Sequence, residues 1–269
     1  MSKRIDAKLL EALPNLPLEE QKEILSLLED LEESEKREAA RDSFMGFTKY
    51  VWPAFIEGRH HKIMASAFER VANGELKRLI VNMPPRHTKS EFASYLLPAW
   101  FLGRFPEKKI IQTAHTAELS VGFGRKVRNL VDSDDYKSVF PSLGLRSDSK
   151  AAGRWSTSKN GEYFAIGVGG AVTGKGADLL IIDDPHSEQE GQSADAGVFD
   201  RVYDWYTSGP RQRLQPGGAI IVVMTRWHKR DLTGQIIKSS VQRAGTDEWE
   251  VIEFPAIMPE SDTPLWPEF

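Results

Sequence analysis

The chain has 269 residues, a net charge of −4, 40% hydrophobic and 28% charged residues, and no cysteine. That is enough apolar chain for one large α/β core or two small ones, and it excludes wholesale disorder, collagen-like repeats, disulfide frameworks, thiolate zinc sites and cysteine nucleophiles. Apolar runs such as Ala219 to Met224 fall far short of the roughly 18 residues that span a bilayer, and the polar Met1 to Lys8 has no signal-peptide core, so a chain without a membrane partner is expected. Charge is uneven. Residues 1 to 42 carry 7 Lys/Arg against 12 Asp/Glu, and the other 227 residues carry 28 against 27. A near-neutral body can still hold a local basic stripe, so net charge decides nothing about nucleic acid.

Taken in chain order, a short helix is predicted over Ile5 to Leu13. A second begins after Pro17, with Ile24, Leu27, Leu28 and Leu31 on one face and a charged stretch, Glu29 to Arg41, leading into the body or docking a partner. Aromatic residues thicken from Phe44 to Phe55, where the main domain begins. Strands are predicted over Leu79 to Met83, Lys109 to Ala114, Leu179 to Asp183, Ala219 to Met224 and Trp249 to Phe254, with a hairpin over Arg154 to Gly167. Helices are predicted over Lys89 to Leu102, kinked or ended by Pro98, and over Ala117 to Val131, Ala194 to Thr207 and Leu232 to Ser239. Continuous β-branched runs separated by helices specify a mainly parallel sheet covered on both faces. Ligands are then expected at the carboxyl ends of its strands.

Strand Leu79 to Met83 runs into Pro84-Pro85-Arg86-His87-Thr88-Lys89-Ser90, which opens a helix. This is the setting of a phosphate-binding loop, in which backbone N–H groups and the helix N-terminus cradle the phosphates, Lys89 reaches the β/γ oxygens and Ser90 holds Mg²⁺. Both glycines of the strict pattern are missing: Met83 and Thr88 stand in their places. If Thr88 adopts positive φ, the strain is on the order of 1 to 2 kcal/mol. On this segment alone an ordinary strand-to-helix turn competes. A second apolar strand, 94 residues after Lys89, ends in Asp183-Asp184. There Asp183 would support Mg²⁺ and Asp184 would orient the attacking water, although an Asp-Asp-Pro turn alone has a purely structural reading. The strand ending at Met224 places Thr225, and Arg226 beside it, at the same edge; Thr225 is positioned to sense a γ-phosphate.

With these elements in order, Met83 to Glu91, Thr173 to Pro185 and Met224 to His228, the chain from about Phe44 onward resembles the ATPase domain of the large terminase subunit of tailed bacteriophages. The resemblance implies a RecA-like (ASCE) P-loop NTPase fold, with a lid-like helical segment over 1–43, the ATPase domain over 44–260 and a linker beginning at 261–269. It implies ATP and Mg²⁺ as cofactors and residues Pro85, Arg86, His87, Thr88, Lys89, Ser90 and Glu91 around the nucleotide. Arg86 takes the place of the family's loop arginine, a γ-phosphate contact, and Thr225 that of its coupling motif. One of His60 and His61 falls where related motors meet the adenine, and His61 is the candidate. The family usually ends the acidic strand in Asp-Glu, so Asp184, or in its stead Glu188 or Glu190, is the catalytic carboxylate. Its trans-acting arginine is replaced by Thr173. Lys175 is the substitute, with Arg125 and Arg128 as rivals.

The implied partners are double-stranded DNA read without sequence preference, the portal protein, the small terminase subunit and further copies in a ring, expected to be a pentamer. The implied location is the host bacterial cytoplasm, with transient residence on the procapsid. Arg211, Arg213, Lys229 and Arg230 are candidate DNA-phosphate contacts. A nuclease domain usually follows in the family, and the sequence stops about where the linker to it would begin, so DNA cleavage is expected to be absent. Two other readings stand beside this one. In the first, a metal-dependent nuclease gathers Mg²⁺ with Asp183, Asp184, Glu188 and Glu190, which leaves Lys89-Ser90 unexplained. The second is an assembly module that binds nucleotide without turnover.

Overall fold

The computed structural model describes residues 13–192, 197–242, 245 and 247–268; most of the helix expected over Ile5 to Leu13 lies outside these. Eight strands form one sheet: β1 (Arg78–Asn82), β2 (Lys109–Ala114), β3 (Leu145–Ala151), β4 (Arg154–Thr157), β5 (Glu162–Gly167), β6 (Ala177–Asp183), β7 (Leu214–Met224) and β8 (Glu250–Glu253). Their spatial order is β3-β4-β5-β2-β6-β7-β1-β8. Every pairing from β5 to β8 is parallel, and β4 and β3 extend the sheet antiparallel at one edge. The predicted hairpin is the β4–β5 pair. Strand β3 was not expected: its Leu-Arg-Ser-Asp-Ser-Lys-Ala sequence lacks an apolar run because it pairs on one side only.

Side chains alternate across the central strands, and this splits the core in two. Leu79, Val81, Leu179, Ile181, Ile221 and Val223 share one cluster with Phe44, Phe47, Phe68, Phe92 and Trp100. Ile80, Leu180, Ile182, Ile220 and Val222 share the other with Val202, Tyr206, Leu232 and Ile236. The first face is covered by α2 (Phe44–Val51), α3 (Arg59–Ala72), α4 (Leu97–Arg104), α5 (Ala117–Val131) and α6 (Asp134–Val139), which follow α1 (Leu18–Asp42). The second lies under α8 (Gly197–Ser208) and α9 (Leu232–Gln242), after the single-turn α7 (Glu188–Gly191). The chain is therefore an α/β protein, a mainly parallel sheet with helices on both faces.

Helix α1 reaches the body through its charged C-terminal half. Its one buried residue is Ala40. Trp100 Nε1 donates to the Ala40 carbonyl at 3.2 Å, Arg41 Nε donates to the Val139 carbonyl at 2.7 Å, and Tyr50 donates to Glu33 at 2.6 Å. Leu18, Leu25 and Leu27 remain exposed. None of the helices in the described residues is long and apolar enough to cross a membrane.

Pro98 does not end the helix that follows the phosphate loop. The chain turns helical at Lys89, widens into a π-turn over Glu91–Leu96 and runs on into α4, with Pro98 in its first turn. Leu97 N–H donates to the Phe92 carbonyl five residues back. Proline offers no N–H to the carbonyl four residues before it, and the wider turn keeps its ring clear of that carbonyl. Where a linker is expected to begin, β9 (Ile257–Met258) and β10 (Thr263–Pro264) pair antiparallel, Leu265 is buried in the first core, and Trp266 is buried with its ring against His60 and His61. Two large apolar side chains gain more from burial than a solvated linker would give them.

Candidate nucleotide-binding site

Register brings the site together. Asn82 pairs with Met224 and Asp183 with Val223, so the carboxyl ends of β1, β6 and β7 lie side by side. Met83 N–H donates to the Met224 carbonyl at 3.1 Å, and the chain then loops through residues 84–88. Arg86 and Thr88 both have φ of 62°. The sequence made positive φ at Thr88 conditional, and the structure places it there, in a region that β-branched residues avoid. Lys89, the first helical residue, is buried, and its Nζ lies 2.8 Å from Asp184 Oδ2.

Asp183 is enclosed. Ser90 Oγ donates to its Oδ1 at 3.0 Å and Ser94 Oγ to its Oδ2 at 2.7 Å. Burial, together with the adjacent Asp184 charge, pushes its carboxyl up to about 7. A buried carboxylate paired with a helix-start hydroxyl is a hard-oxygen donor set, and it fits Mg²⁺, which takes one or two protein ligands and completes its shell with water and phosphate. Among the described residues no group of three or more His, Asp or Glu side chains is placed to hold a metal on its own.

Asp184 has φ 38°, a strained conformation held by three contacts. Its N–H donates to the Val223 carbonyl at 2.9 Å, its carbonyl accepts from His115 N–H at 3.2 Å, and its Oδ1 accepts from Thr225 N–H at 2.8 Å. The Thr225 hydroxyl donates to the Met83 carbonyl at 3.2 Å. The residue after β7 thus bridges the acidic strand and the phosphate loop.

Sequence reasoning missed Ser94 and Gln112. Ser94 reaches β6 from the π-turn, and Gln112 on β2 donates to its Oγ at 2.9 Å. Neither belongs to a motif, and the π-turn that carries Ser94 has a sequence signal only in Pro98.

The histidine pair is not at the surface. His60 and His61 are fully buried at the start of α3. Gly58 N–H donates to His61 Nδ1 at 2.8 Å, so the ring proton sits on Nε2, 2.5 Å from Thr88 Oγ1, and the Thr88 hydroxyl donates to the His87 carbonyl at 2.6 Å. Burial, with the neighbouring His60, pushes His61 down to about 3, and burial pushes His60 down to about 4. Both nitrogens of His61 are committed within the protein, in place of the base-edge contact expected of it.

Other candidates fall elsewhere. Arg86 and Pro85 are exposed at the loop tip, His87 Nδ1 donates to the Pro85 carbonyl at 2.8 Å, and Glu91 lies 4.0 Å from Lys126 of α5. Glu190 caps its own helix by accepting from Ser187 N–H at 2.9 Å, and Glu188 is exposed beside it. The four carboxylates of the nuclease reading therefore do not converge: Asp183 faces two serines, Asp184 a lysine and Glu190 its own N-cap. Lys175 lies 3.8 Å from Glu162, the first residue of β5, and its Nζ stands over the Phe164 ring. That is the amino edge of the sheet, opposite Asp183, so Lys175 does not reach its own chain's phosphate loop. Arg125 is exposed on α5, and Arg128 on the same helix donates to Asn129. The four proposed DNA-contacting cations fall at the two ends of β7: Arg211 and Arg213 precede it, Lys229 and Arg230 follow it, and Arg211 and Arg230 are paired with Asp247 and Asp200.

No protein-family model and no curated protein matches the sequence. Among solved structures, the chain is similar to the large terminase of bacteriophage HK97, at 16% identity and a TM-score of 0.48, covering 77% of this chain and 40% of that one. It is also similar to an ATPase-domain variant of the large terminase of Thermus phage P74-26, at 15% identity and a TM-score of 0.45, covering 80% of this chain and 85% of that one. The chain thus spans less than half the length of the HK97 protein, and both of these solved structures are of phage large terminases.

Proposed function

We propose that the chain is an ATP-hydrolysing motor domain of a viral DNA-packaging terminase, which translocates double-stranded DNA into a procapsid as one member of a homo-oligomeric ring. The observation that carries this reading is the linkage of Lys89, Ser90, Asp183, Asp184 and Thr225 by contacts of 2.8 to 3.0 Å at the carboxyl edge of three adjacent parallel strands. Loop N–H groups and the helix start at Lys89 would receive the phosphates, and the Lys89 ammonium would meet the β/γ oxygens. Ser90 and Asp183 would hold Mg²⁺, which supplies charge neutralisation on the phosphates when bound. Asp184 is the carboxylate best placed to orient and polarise the attacking water, once Lys89 leaves it for the nucleotide. The exposed Arg86 is the γ-phosphate contact on the same loop. Thr225, bonded to both Asp184 and the Met83 carbonyl, would pass loss of the γ-phosphate to the segment after β7.

A cation supplied in trans would raise turnover by about 10³ to 10⁵, so the isolated chain is expected to hydrolyse ATP slowly. Lys175, at the opposite sheet edge, is a candidate only for a neighbouring subunit's site. Portal protein, small terminase subunit and DNA are the partners in this reading, and the host cytoplasm is its setting. Phosphate release from Mg²⁺-ATP, measured with and without double-stranded DNA and against plasmid nicking in Mn²⁺, tests it. Turnover without nicking is the expected result. Nicking without turnover would replace the motor with a nuclease, and nucleotide binding without turnover, even with procapsids present, would replace it with an assembly module.

A further inference from the structure

A phosphate loop preceded by a glycine at the position before its lysine reaches the left-handed conformation at no steric cost. Thr88 stands there, at φ 62°, with no Asn, Asp or Gly beside it to favour that geometry. From outside the loop, the His61 ring, 27 residues upstream, hydrogen-bonds to its side chain. The His61 ring has little freedom. Gly58 N–H holds Nδ1, and the ring lies 4.8 Å from Phe55, 4.9 Å from Phe92, 4.8 Å from Trp266 and 3.8 Å from His60, centroid to centroid. A buried, clamped N–H therefore points at the Thr88 hydroxyl, which in turn fastens the His87 carbonyl.

We infer that His61 is a positioning residue of the phosphate loop: its Nε2–H holds Thr88 in the conformation a glycine would adopt unaided, and so preorganises the loop for a triphosphate. This inference rests on the nucleotide reading for its functional consequence, though not for its structural one. Residue 88 and residue 61 are then a matched pair, in which glycine at 88 makes the histidine dispensable. A histidine that merely filled the core would not show that dependence.

The test uses the 269-residue chain as four variants: His61→Ala, Thr88→Val, Thr88→Gly and the double His61→Ala/Thr88→Gly. Binding of a non-hydrolysable ATP analogue with Mg²⁺ is measured by calorimetry, and urea midpoints are measured without nucleotide. His61→Ala and Thr88→Val are each expected to weaken the analogue about tenfold, the size set by loss of a left-handed clamp. The double variant is expected to bind within about threefold of Thr88→Gly alone, so that losing His61 costs little once residue 88 is glycine. The midpoint loss caused by His61→Ala is expected to shrink when residue 88 is glycine. Equal binding by His61→Ala and the parent, or losses that simply add in the double variant, would overturn the inference. Should His61→Ala fail to fold, Thr88→Val, which alters one loop side chain, decides the matter: parent-like binding overturns the clamp. If the parent itself does not bind the analogue, the nucleotide reading fails, while the midpoints of the four variants still decide whether His61 and Thr88 are coupled.

Discussion

Asp184→Asn separates two jobs of one carboxylate. Asn keeps an oxygen for the Thr225 N–H, 2.8 Å away, so the loop after β7 should stay in place. It loses the charge that binds Lys89 at 2.8 Å. That ion pair is neither open nor sealed: the Lys89 side chain is 7% exposed and that of Asp184 28%. Exposed pairs are worth up to about 1 kcal/mol and breaking buried ones costs about 3 to 5, so a value of about 1 to 2 kcal/mol is reasonable here. A nucleotide must draw Lys89 away from Asp184, and removing the competing charge should tighten Mg²⁺-ATP binding by about five- to thirtyfold. Loss of the group that polarises water should meanwhile lower kcat by about 10² to 10⁴. Calorimetry with ATP and a phosphate-release assay on the same protein read the two effects. Hydrolysis within threefold of the parent would remove Asp184 from the reaction. Weaker binding would show that the Lys89–Asp184 pair does not compete with nucleotide.

Lys89→Ala should abolish turnover, because no other buried cation faces the phosphate loop in the described residues, and filter-binding of ATP should weaken alongside it. Ser94→Ala leaves Asp183 Oδ2 without its hydroxyl donor and should cost about 1 to 3 kcal/mol in urea unfolding, with a higher Mg²⁺ requirement for phosphate release. Acid should destabilise the chain through the histidine pair. Their folded pKa values of about 4 and about 3 lie below the ordinary 6.5, so between these limits the unfolded chain binds more protons, and stability is lost as pH falls from about 6.5. Urea midpoints from pH 7 to pH 4 would show this. His60→Phe, which keeps the aromatic packing, should flatten the dependence, and an unchanged slope would count against burial as its cause.

Local pattern was enough for the sheet. Runs such as Leu179 to Ile182 and Ile220 to Val223 are apolar at every position because both faces are covered, and helices fall between them. Lys89-Ser90 after β1 and Asp183-Asp184 closing β6 were legible as halves of one site, since parallel strands bring their carboxyl ends to a common edge. Where the pattern is weak, the prediction failed. Strand β3 pairs on one side and carries no apolar run. Pro98, expected to kink or end its helix, sits in one that a π-turn carries past it.

What only the tertiary structure decided are the pairings between segments far apart in sequence. The sequence marked His61 and Thr88 separately, but their bond depends on α3 lying against the phosphate loop. Ser94 belongs to the site because a widened turn aims it at β6, and Lys175 is excluded from its own chain's site because it lies at the sheet's other edge. Periodicity records which face of an element is buried; it carries no record of which side chain waits on the other side of the contact.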